Sequence, residues 1–198
     1  MSPKPDISEE RREQILEAAA SVFSERGIHQ ARMDDVAAES GVSKGLLYWY
    51  FKSKDEIIVA IAERMFSREM DALSELAAQD GSALEQMREF VDLMVYDIER
   101  IRPLLPLLYE FFSMVMRKRA TQEIMRTMIQ QSFVDLKKII QRGIDQEEFR
   151  QVDLHDTVVA IGAVIEGTYL IWAYDPELVD IEKHIRSGVE LILNGFVI

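Results

Sequence analysis

Three lysines, two further serines and four aromatic residues follow Ser40 in a window that ends at Lys54 and contains no carboxylate. Lys44, Lys52 and Lys54 give this window a charge of +3, in a chain whose net charge is −12. Ammonium groups neutralise phosphates, and one basic window in an acidic chain favours a single contact patch over non-specific coating of nucleic acid. The alternative is an ordinary surface helix with solvated lysines.

The residues of this window and those just before it predict two short helices joined by a tight turn. Met33–Ser40 and Lys44–Tyr50 have helical patterns, and Gly41 tolerates the left-handed backbone found just past a helix end. Ser43 is suited to cap the second helix, because its hydroxyl can accept from an amide two or three residues on. This order is that of a helix-turn-helix, whose second helix, the reading helix, enters the major groove of DNA.

These residues closely resemble the DNA-binding domain of the TetR family of transcriptional regulators. The resemblance covers about residues 10–58 and is carried by Met33–Ala37, Gly41–Gly45, Leu47–Tyr48 and Tyr50–Lys54. It implies an all-α homodimer with an N-terminal three-helix helix-turn-helix head and a C-terminal helical core for ligand binding and dimerisation. With the helical patterns of the rest of the chain, we expect about nine helices. We place the two domains at residues 1–54 and 55–198.

Lys44, Gly45 and Leu46 are expected to contact the groove from the start of the reading helix, and the resemblance implies phosphate and base contacts for Tyr48, Trp49 and Lys54. One of the aromatic rings of Trp49 and Tyr50 can face DNA while the other packs, and we favour Trp49. Trp49 is expected to point outward, while Leu47 and Phe51 pack the head. Arg32 stands where the family usually has a serine or threonine cap; it has no acceptor for capping, but it could reach a backbone phosphate. The expected DNA-binding residues are Arg32, Ser43, Lys44, Gly45, Leu46, Tyr48, Trp49, Lys52 and Lys54.

Composition and motifs argue against several other classes of protein. The chain has no cysteine, so disulfide and thiolate chemistry are excluded. Its first residues lack the apolar segment of a signal peptide, and its longest apolar stretch, Thr157–Tyr174, contains Glu166 and two glycines. The three histidines are far apart, and no phosphate loop, nucleophile elbow or metal-ligand spacing is evident. We therefore expect a cytoplasmic protein with no membrane span, metal, cofactor or enzymatic activity.

Serine, aspartate and glycine residues mark the ends of the remaining helices. Ser8 is expected to cap the first helix. Ser53 and Ser82 each open an S-x-x-E pattern, which predicts a capping box at the start of a helix. The helices that they open are expected to end near Ala78 and Arg102. Those that follow are expected at about Leu104–Arg119 and Thr121–Gly143, then from a cap at Asp153 to Tyr174, and at about Val179–Leu193.

The last two helices have a sequence pattern that indicates association with a second chain. Ala160, Ala163 and Gly167 recur at spacings of three and four, so small residues line one stripe and permit another helix to approach closely. The resemblance implies that these two helices pair with those of a second chain as a four-helix bundle. The alternative is that they bury against their own core, and the two arrangements are compatible. Apolar area nearby is expected from Val159, Ile185, Val189, Ile192 and Leu193.

Methionines suggest where a ligand binds, since eight of the ten lie between Met65 and Met128. Methionine side chains fill irregular space and suit adaptable apolar binding, although a solid core is the alternative. For Glu166 we rank solvent exposure and pairing across the dimer ahead of ligand contact. The expected ligand-binding residues are Met65, Phe66, Phe90, Met94, Tyr109, Phe112, Met116, Met128, Glu166, Tyr169 and Trp172.

Together these features predict a ligand-responsive transcriptional regulator, with a repressor as the leading hypothesis. It would bind a palindromic operator in double-stranded DNA as a homodimer through its last two helices, and a small apolar molecule would release it. The alternative is an all-helical carrier or adaptor for an apolar ligand, in which the helix-turn-helix is only structural. A helical enzyme is a third hypothesis, for which no constellation of residues is present.

Overall fold

Nine α-helices and one turn of 3-10 helix make up the part of the chain that the structure, a computed structural model, describes: residues 7–96 and 102–198. The 3-10 turn, Arg102–Leu104, leads directly into the sixth helix. The predicted all-α fold is confirmed. The helices are α1 (Ile7–Arg26), α2 (Met33–Ser40), α3 (Lys44–Tyr50), α4 (Lys54–Ala78), α5 (Ala83–Val95), α6 (Leu105–Arg117), α7 (Arg119–Asp145), α8 (Leu154–Tyr174) and α9 (Ile181–Leu193).

The helix ends follow the predicted caps, with two exceptions. Asp153 caps α8 as expected, and its carboxylate accepts from the Asp156 amide at 2.9 Å. Helix α9 starts slightly later than predicted, because Asp180 caps it through the Lys183 amide. Helix α1 already includes Ile7, so Ser8 lies inside the helix and the prediction that it forms the cap is wrong. The predicted extension of α5 toward Arg102 includes residues 97–101, which lie outside the described residues.

Only the first half of each predicted capping box is present. Ser53 accepts from the Glu56 amide at 3.3 Å, but Glu56 accepts from the Lys52 amide instead of from Ser53. Ser82 likewise accepts from the Glu85 amide at 3.2 Å. The carboxylate that completes this end of α5 comes from Glu148, 66 residues further along the chain, which accepts from the Ser82 hydroxyl at 2.9 Å.

The described residues form two compact units, and the boundary between them falls within α4 and α7. The first unit contains residues 7–66 and 102–123, and the second contains residues 67–96 and 124–198. The predicted domain division after residue 54 does not coincide with these units and stays a prediction.

The core of the first unit is built on α1. Ile15, Leu16 and Ala19 are fully buried on its inner face, and α2 packs against it. Helix α6 belongs to the same unit: Phe111 is fully buried, and its ring centroid lies 5.9 Å from that of Phe66 in α4. Lys118, which follows α6, forms an ion pair with Asp55 in the first turn of α4. The helix-turn-helix therefore shares one core with the start of α4 and with α6.

In the second unit, contacts distant in sequence hold the α4–α5 loop. The Arg142 guanidinium donates to the Gln79 carbonyl at 2.7 Å and to the side chain of Gln86. Helices α8 and α9 cross closely at Gly188, where an added Cβ would lie 2.5 Å from Val164. An antiparallel bridge joins Phe149 to Val197 near the C-terminus, and no strand occurs in residues 7–96 or 102–198.

Candidate nucleic-acid interface and ligand-binding residues

The turn between α2 and α3 has the predicted geometry. Gly41 has φ +66°, the left-handed conformation that glycine adopts without steric cost. Its amide donates to Ala38 and the Val42 amide donates to Ala37, which is a Schellman motif at the end of α2. Ser43 caps α3, and its hydroxyl accepts from the Leu46 amide at 3.2 Å. This turn fixes the direction in which α3 leaves α2.

Helix α3 is divided into a buried face and an outward face. Leu47 is fully buried and Phe51, which follows the helix, is 4% exposed, as predicted. Trp49 is 65% exposed, so its predicted outward orientation is confirmed, and Tyr48 is 44% exposed. The ring of Tyr50 meets the Trp49 ring edge to face, with centroids 4.7 Å apart. The outward face is therefore mainly aromatic and apolar.

Each of the three lysines of the basic window has a partner within the head. Lys44 forms an exposed ion pair with Asp34 of α2 at 2.6 Å. Lys52, which follows α3, donates to the Tyr48 carbonyl near the end of that helix at 2.6 Å. These exposed groups can exchange such partners for phosphates at small cost, because surface ion pairs contribute about 0–1 kcal/mol.

Lys54 is held differently from the other two lysines. Its half-buried side chain donates to the carbonyls of Ile28 and of Ala31, the latter at 3.1 Å. Both carbonyls lie in the loop between α1 and α2, so Lys54 joins the start of α4 to this loop. A contact from Lys54 to DNA stays a prediction, and two of its three donor hydrogens are already used within the protein.

Arg32 occupies the backbone N-cap position of α2, but its side chain forms no capping hydrogen bond, as its chemistry requires. Asp35 provides the compensating contact, since its carboxylate accepts from the Arg32 amide at 2.8 Å. The same carboxylate pairs with Arg26 of α1 at 2.7 Å. The Arg32 side chain is exposed, and its contact with a phosphate stays a prediction.

Sequence reasoning missed two acidic residues that organise this surface. Asp35 could have been found, because an acid at the third helical position commonly pairs with the N-cap amide. The pairing of Asp34 with Lys44 had no comparable signal, since it depends on the angle between α2 and α3. The described residues contain no cluster of side chains arranged to hold a metal ion.

The residues predicted to bind a ligand are divided between the two units. Met65, Phe66, Tyr109, Phe112 and Met116 belong to the first unit, where the rings of Phe66 and Phe112 lie 6.4 Å apart. Met116 is 87% exposed in the single chain. The residues in the second unit are Phe90, Met94, Met128, Glu166, Tyr169 and Trp172.

Within the second unit, Tyr169 and Met94 are brought into direct contact. The Tyr169 hydroxyl donates to the Met94 carbonyl, and burial together with the Glu69 carboxylate raises the pKa of Tyr169 to about 12. Trp172 is 2% exposed. Glu166 lies on the exposed side of α8, and partial desolvation raises its pKa. The participation of these residues in ligand binding stays a prediction.

A separate open groove of about 500 Å³ lies along α7 and contains none of the residues predicted to bind a ligand. Four of its six lining residues are charged, and it is open to solvent, unlike the cavity that was expected. The groove is lined by Val134, Lys137, Lys138, Gln141, Arg142 and Asp145.

The small-residue stripe on α8 faces away from the fold of the single chain. Ala160 and Ala163 are exposed, and a Cβ added to Gly167 would meet nothing within 4 Å. Ile185, Val189 and Leu193 of α9 are buried in their own chain, which is the alternative arrangement for these residues. Exposed apolar area on the last two helices comes from Val159, Leu170, Ile171, Tyr174 and Leu191, which are 43–75% exposed.

Helix α8 is long and apolar enough to cross a membrane, judged by length and composition alone, with a mean hydropathy of 1.5 over its most apolar 18 residues. This is weak evidence for a membrane span, because a core helix of a soluble protein passes the same test. The exposed apolar residues of α8 equally suit a helix that another chain covers.

The fold and the outward face of α3 define a helix-turn-helix transcriptional regulator. Residues 15–61 match the family model for bacterial regulatory proteins of the tetR family. Residues 83–194, more than half of the chain, match the model for the C-terminal region of BetI-type transcriptional repressors. The chain belongs to the TetR family.

Individual relatives agree over nearly the whole length. The chain is 24% identical to the transcriptional regulator AcrR of Shigella flexneri, over 96% of this chain and 91% of AcrR. A transcriptional regulator from Saccharomonospora viridis in complex with choline superposes with a TM-score of 0.81, at 20% identity, over 96% of this chain and 99% of that one. The complex of SmeT with triclosan gives a TM-score of 0.76, at 21% identity, over 95% and 92% of the two chains. SmeT is the repressor of a Stenotrophomonas maltophilia multidrug efflux pump.

Replacing Gly45 by alanine separates the stability of the head from its binding to DNA. An added Cβ would meet only the Ser43 hydroxyl at 4.0 Å, so the unbound head has room for it. Alanine also favours a helix by up to about 1 kcal/mol over glycine. We expect Gly45→Ala to raise the midpoint of thermal unfolding and to weaken DNA binding, because the methyl group blocks close approach to the groove.

The control is Gly41→Ala, which also adds a methyl group in open space but at φ +66°. Alanine is strained in that conformation, so this variant should unfold at a lower temperature. Unchanged DNA affinity in Gly45→Ala would show that this position does not approach DNA.

Proposed function

We propose that this protein is a ligand-responsive transcriptional repressor that binds a palindromic operator as a homodimer and is released by an apolar small molecule. The observation that carries the proposal is the outward face of α3, with Trp49 and Lys44 exposed on an acid-free segment that the buried Leu47 anchors. The protein would act in the cytoplasm. Its DNA-binding head would be residues 1–54 and its ligand-binding and dimerisation domain residues 55–198.

The proposed DNA contacts divide by chemistry. Lys44, Gly45 and Leu46 are suited to the groove, because they lie at the start of α3 and are exposed. Arg32, Ser43, Tyr48, Lys52 and Lys54 are suited to phosphates, which they would reach with charged groups or hydroxyls. In simple helix-turn-helix dimers, the two reading helices enter successive major grooves about 34–36 Å apart.

The salt dependence of DNA binding tests the proposed phosphate contacts of Lys52 and Lys54. Each phosphate that a lysine neutralises contributes about 0.9 to the slope of log K against log salt. We expect Lys52→Ala and Lys54→Ala each to reduce the slope by about one. Lys54→Ala should also lower the unfolding midpoint, because Lys54 holds the loop between α1 and α2.

The pair of variants also tests the opposite assignment. If Lys54→Ala lowers stability and leaves the slope of the parent unchanged, Lys54 is a structural link and does not contact phosphate. Absence of any salt-dependent DNA binding by the parent protein would favour the carrier or adaptor hypothesis over the repressor.

The proposed dimer rests on the exposed apolar stripe of α8. Ala160, Ala163 and Gly167 permit close approach of a second chain, and Leu170 and Tyr174 supply apolar area beside them. An exposed stripe of this kind on a helix needs a partner. A dimer also places two reading helices on one palindromic site.

Ala163→Arg is expected to convert the dimer into a monomer, since it places a charge in the middle of the stripe. The measurement is molar mass by light scattering during size-exclusion chromatography. Ala163 is exposed in the single chain, so the monomer should keep its helical content by circular dichroism. Gln130→Arg, at an exposed position of α7, is the matched control and should stay dimeric. A dimeric Ala163→Arg protein would contradict the proposed interface.

Release by a ligand would occur as a population shift between arrangements of the dimer that fit and do not fit the operator. Helix α4 is the proposed lever, because it begins beside the reading helix and continues into the second unit. Phe66 of α4 also packs with Phe111 and Phe112 of α6 within the first unit. A ligand that favours one position of α4 or α6 would thereby move the head.

Triclosan and choline, which were found bound to two structurally similar proteins, are suitable first probes: triclosan is the apolar compound and choline, a cation, is the contrasting one. Calorimetry establishes whether either compound binds, and fluorescence anisotropy then measures operator affinity with and without it. We expect a compound that binds to weaken operator affinity by about 5–150-fold, the range typical of allosteric coupling. Equal operator affinity in the presence of a saturating bound compound would contradict the mechanism.

A further inference from the structure

The outward face of α3 has few groups that can read base edges by hydrogen bonding. Gly45 and Trp49 lie one turn apart on the side opposite the buried Leu47, with Leu46 and Tyr48 flanking them. From Lys44 to Tyr50, all of which the structure describes, the helix contains no arginine, asparagine, glutamine, aspartate or glutamate. These are the side chains that form most hydrogen-bonded contacts with bases.

The polar groups at the start of α3 are already engaged. Lys44 pairs with Asp34 at 2.6 Å, so a contact with guanine would have to break or share that ion pair. The Ser43 oxygen accepts from the Leu46 amide, and its hydroxyl lies at the helix end, where phosphates bind. Direct hydrogen bonding to bases is therefore not the main way in which this surface can recognise DNA.

The outward face of α3 instead presents mainly apolar area, and neighbouring residues support the orientation of its largest ring. Trp49 is 65% exposed and Leu46 is 37% exposed. The Tyr50 ring supports the indole edge to face, and the Tyr50 hydroxyl lies 3.4 Å from the Ser8 hydroxyl. Exposure of the Trp49 indole to water is unfavourable. Because the ring already packs against Tyr50, it loses less conformational entropy when it contacts a partner.

The major groove offers one apolar group among the four bases, the C5-methyl group of thymine. We propose that this protein recognises its operator largely through thymine methyl groups, with Trp49 as the main contact and Leu46 as the second. The inference rests on the proposed binding of DNA through α3 and specifies which chemical group is read. Gly45 fits this role, because the absence of a side chain one turn before Trp49 lets the helix lie close to the base edges.

Thymine and uracil differ only by this methyl group, so replacing one by the other isolates it. Operator sites are first selected from a randomised duplex pool by the full-length protein. The best site is then synthesised with uracil in place of thymine at each thymine position in turn. We expect at least one position in each half-site at which the loss of a methyl group raises the dissociation constant about fourfold. This is the change that corresponds to the free energy of burying one methyl-sized group.

Variants of Trp49, each measured on the site with thymine and on the site with uracil, test whether this residue makes the contact. Trp49→Ala should bind the thymine site more weakly and lose most of the penalty for deoxyuracil at the position it contacts. Trp49→Phe, which keeps an apolar ring, should retain part of that penalty. Lys52→Ala is the control: it should weaken binding to both sites equally and leave the penalty unchanged. Circular dichroism checks that each variant is folded.

The outcomes separate this inference from the proposed function. Equal affinity for thymine and deoxyuracil sites would overturn methyl recognition and leave operator binding intact. A full penalty retained by Trp49→Ala would overturn the assignment to Trp49. If no sequence is selected and the protein shows no salt-dependent binding to DNA, the proposed function and the inference that rests on it both fail.

Discussion

Leu47 and Phe51 are four residues apart and both buried, so α3 cannot rotate about its axis without exposing one of them. Burial of each such side chain stabilises the fold by about 1.5–3 kcal/mol, which is more than an exposed ion pair contributes. Arg12 of α1 adds a guanidinium group 5.6 Å from the centre of the Phe51 ring. These contacts determine that Trp49 and Gly45 are the residues presented outward.

The charges of the head are arranged around this fixed helix. Lys54 holds the loop before α2, whereas Lys44 and Lys52 remain at the surface with exchangeable partners. In a chain of net charge −12, these two lysines give the head a local positive charge that is suited to phosphate. If α3 binds DNA as proposed, apolar contacts from Trp49 and Leu46 distinguish one DNA sequence from another, because charge alone does not.

The second unit is organised by contacts between distant parts of the chain. Arg142 and Glu148 each bind the α4–α5 loop or the start of α5, so the end of α4 is fixed from the side of α7. The close crossing at Gly188 joins α8 to α9, and the face of α8 that carries Ala163, opposite the buried Val158, Ile161 and Ile165, is exposed in the single chain. The same helix thus serves the core with one face and the proposed dimer with the other.

The sequence by itself determined the helices, the turn at Gly41, the cap at Ser43 and the outward position of Trp49, because these depend on local periodicity and backbone preference. Local patterns did not determine which groups meet across the fold. The carboxylate that completes the cap of α5 belongs to Glu148, the partner of Lys44 is Asp34, and the lysine that clamps the loop before α2 is Lys54. The sequence left open whether Ile185 and Val189 pack on their own core or on a second chain, and both are buried in their own chain. Such pairings depend on the angles at which helices pack, and only the tertiary structure fixes those angles.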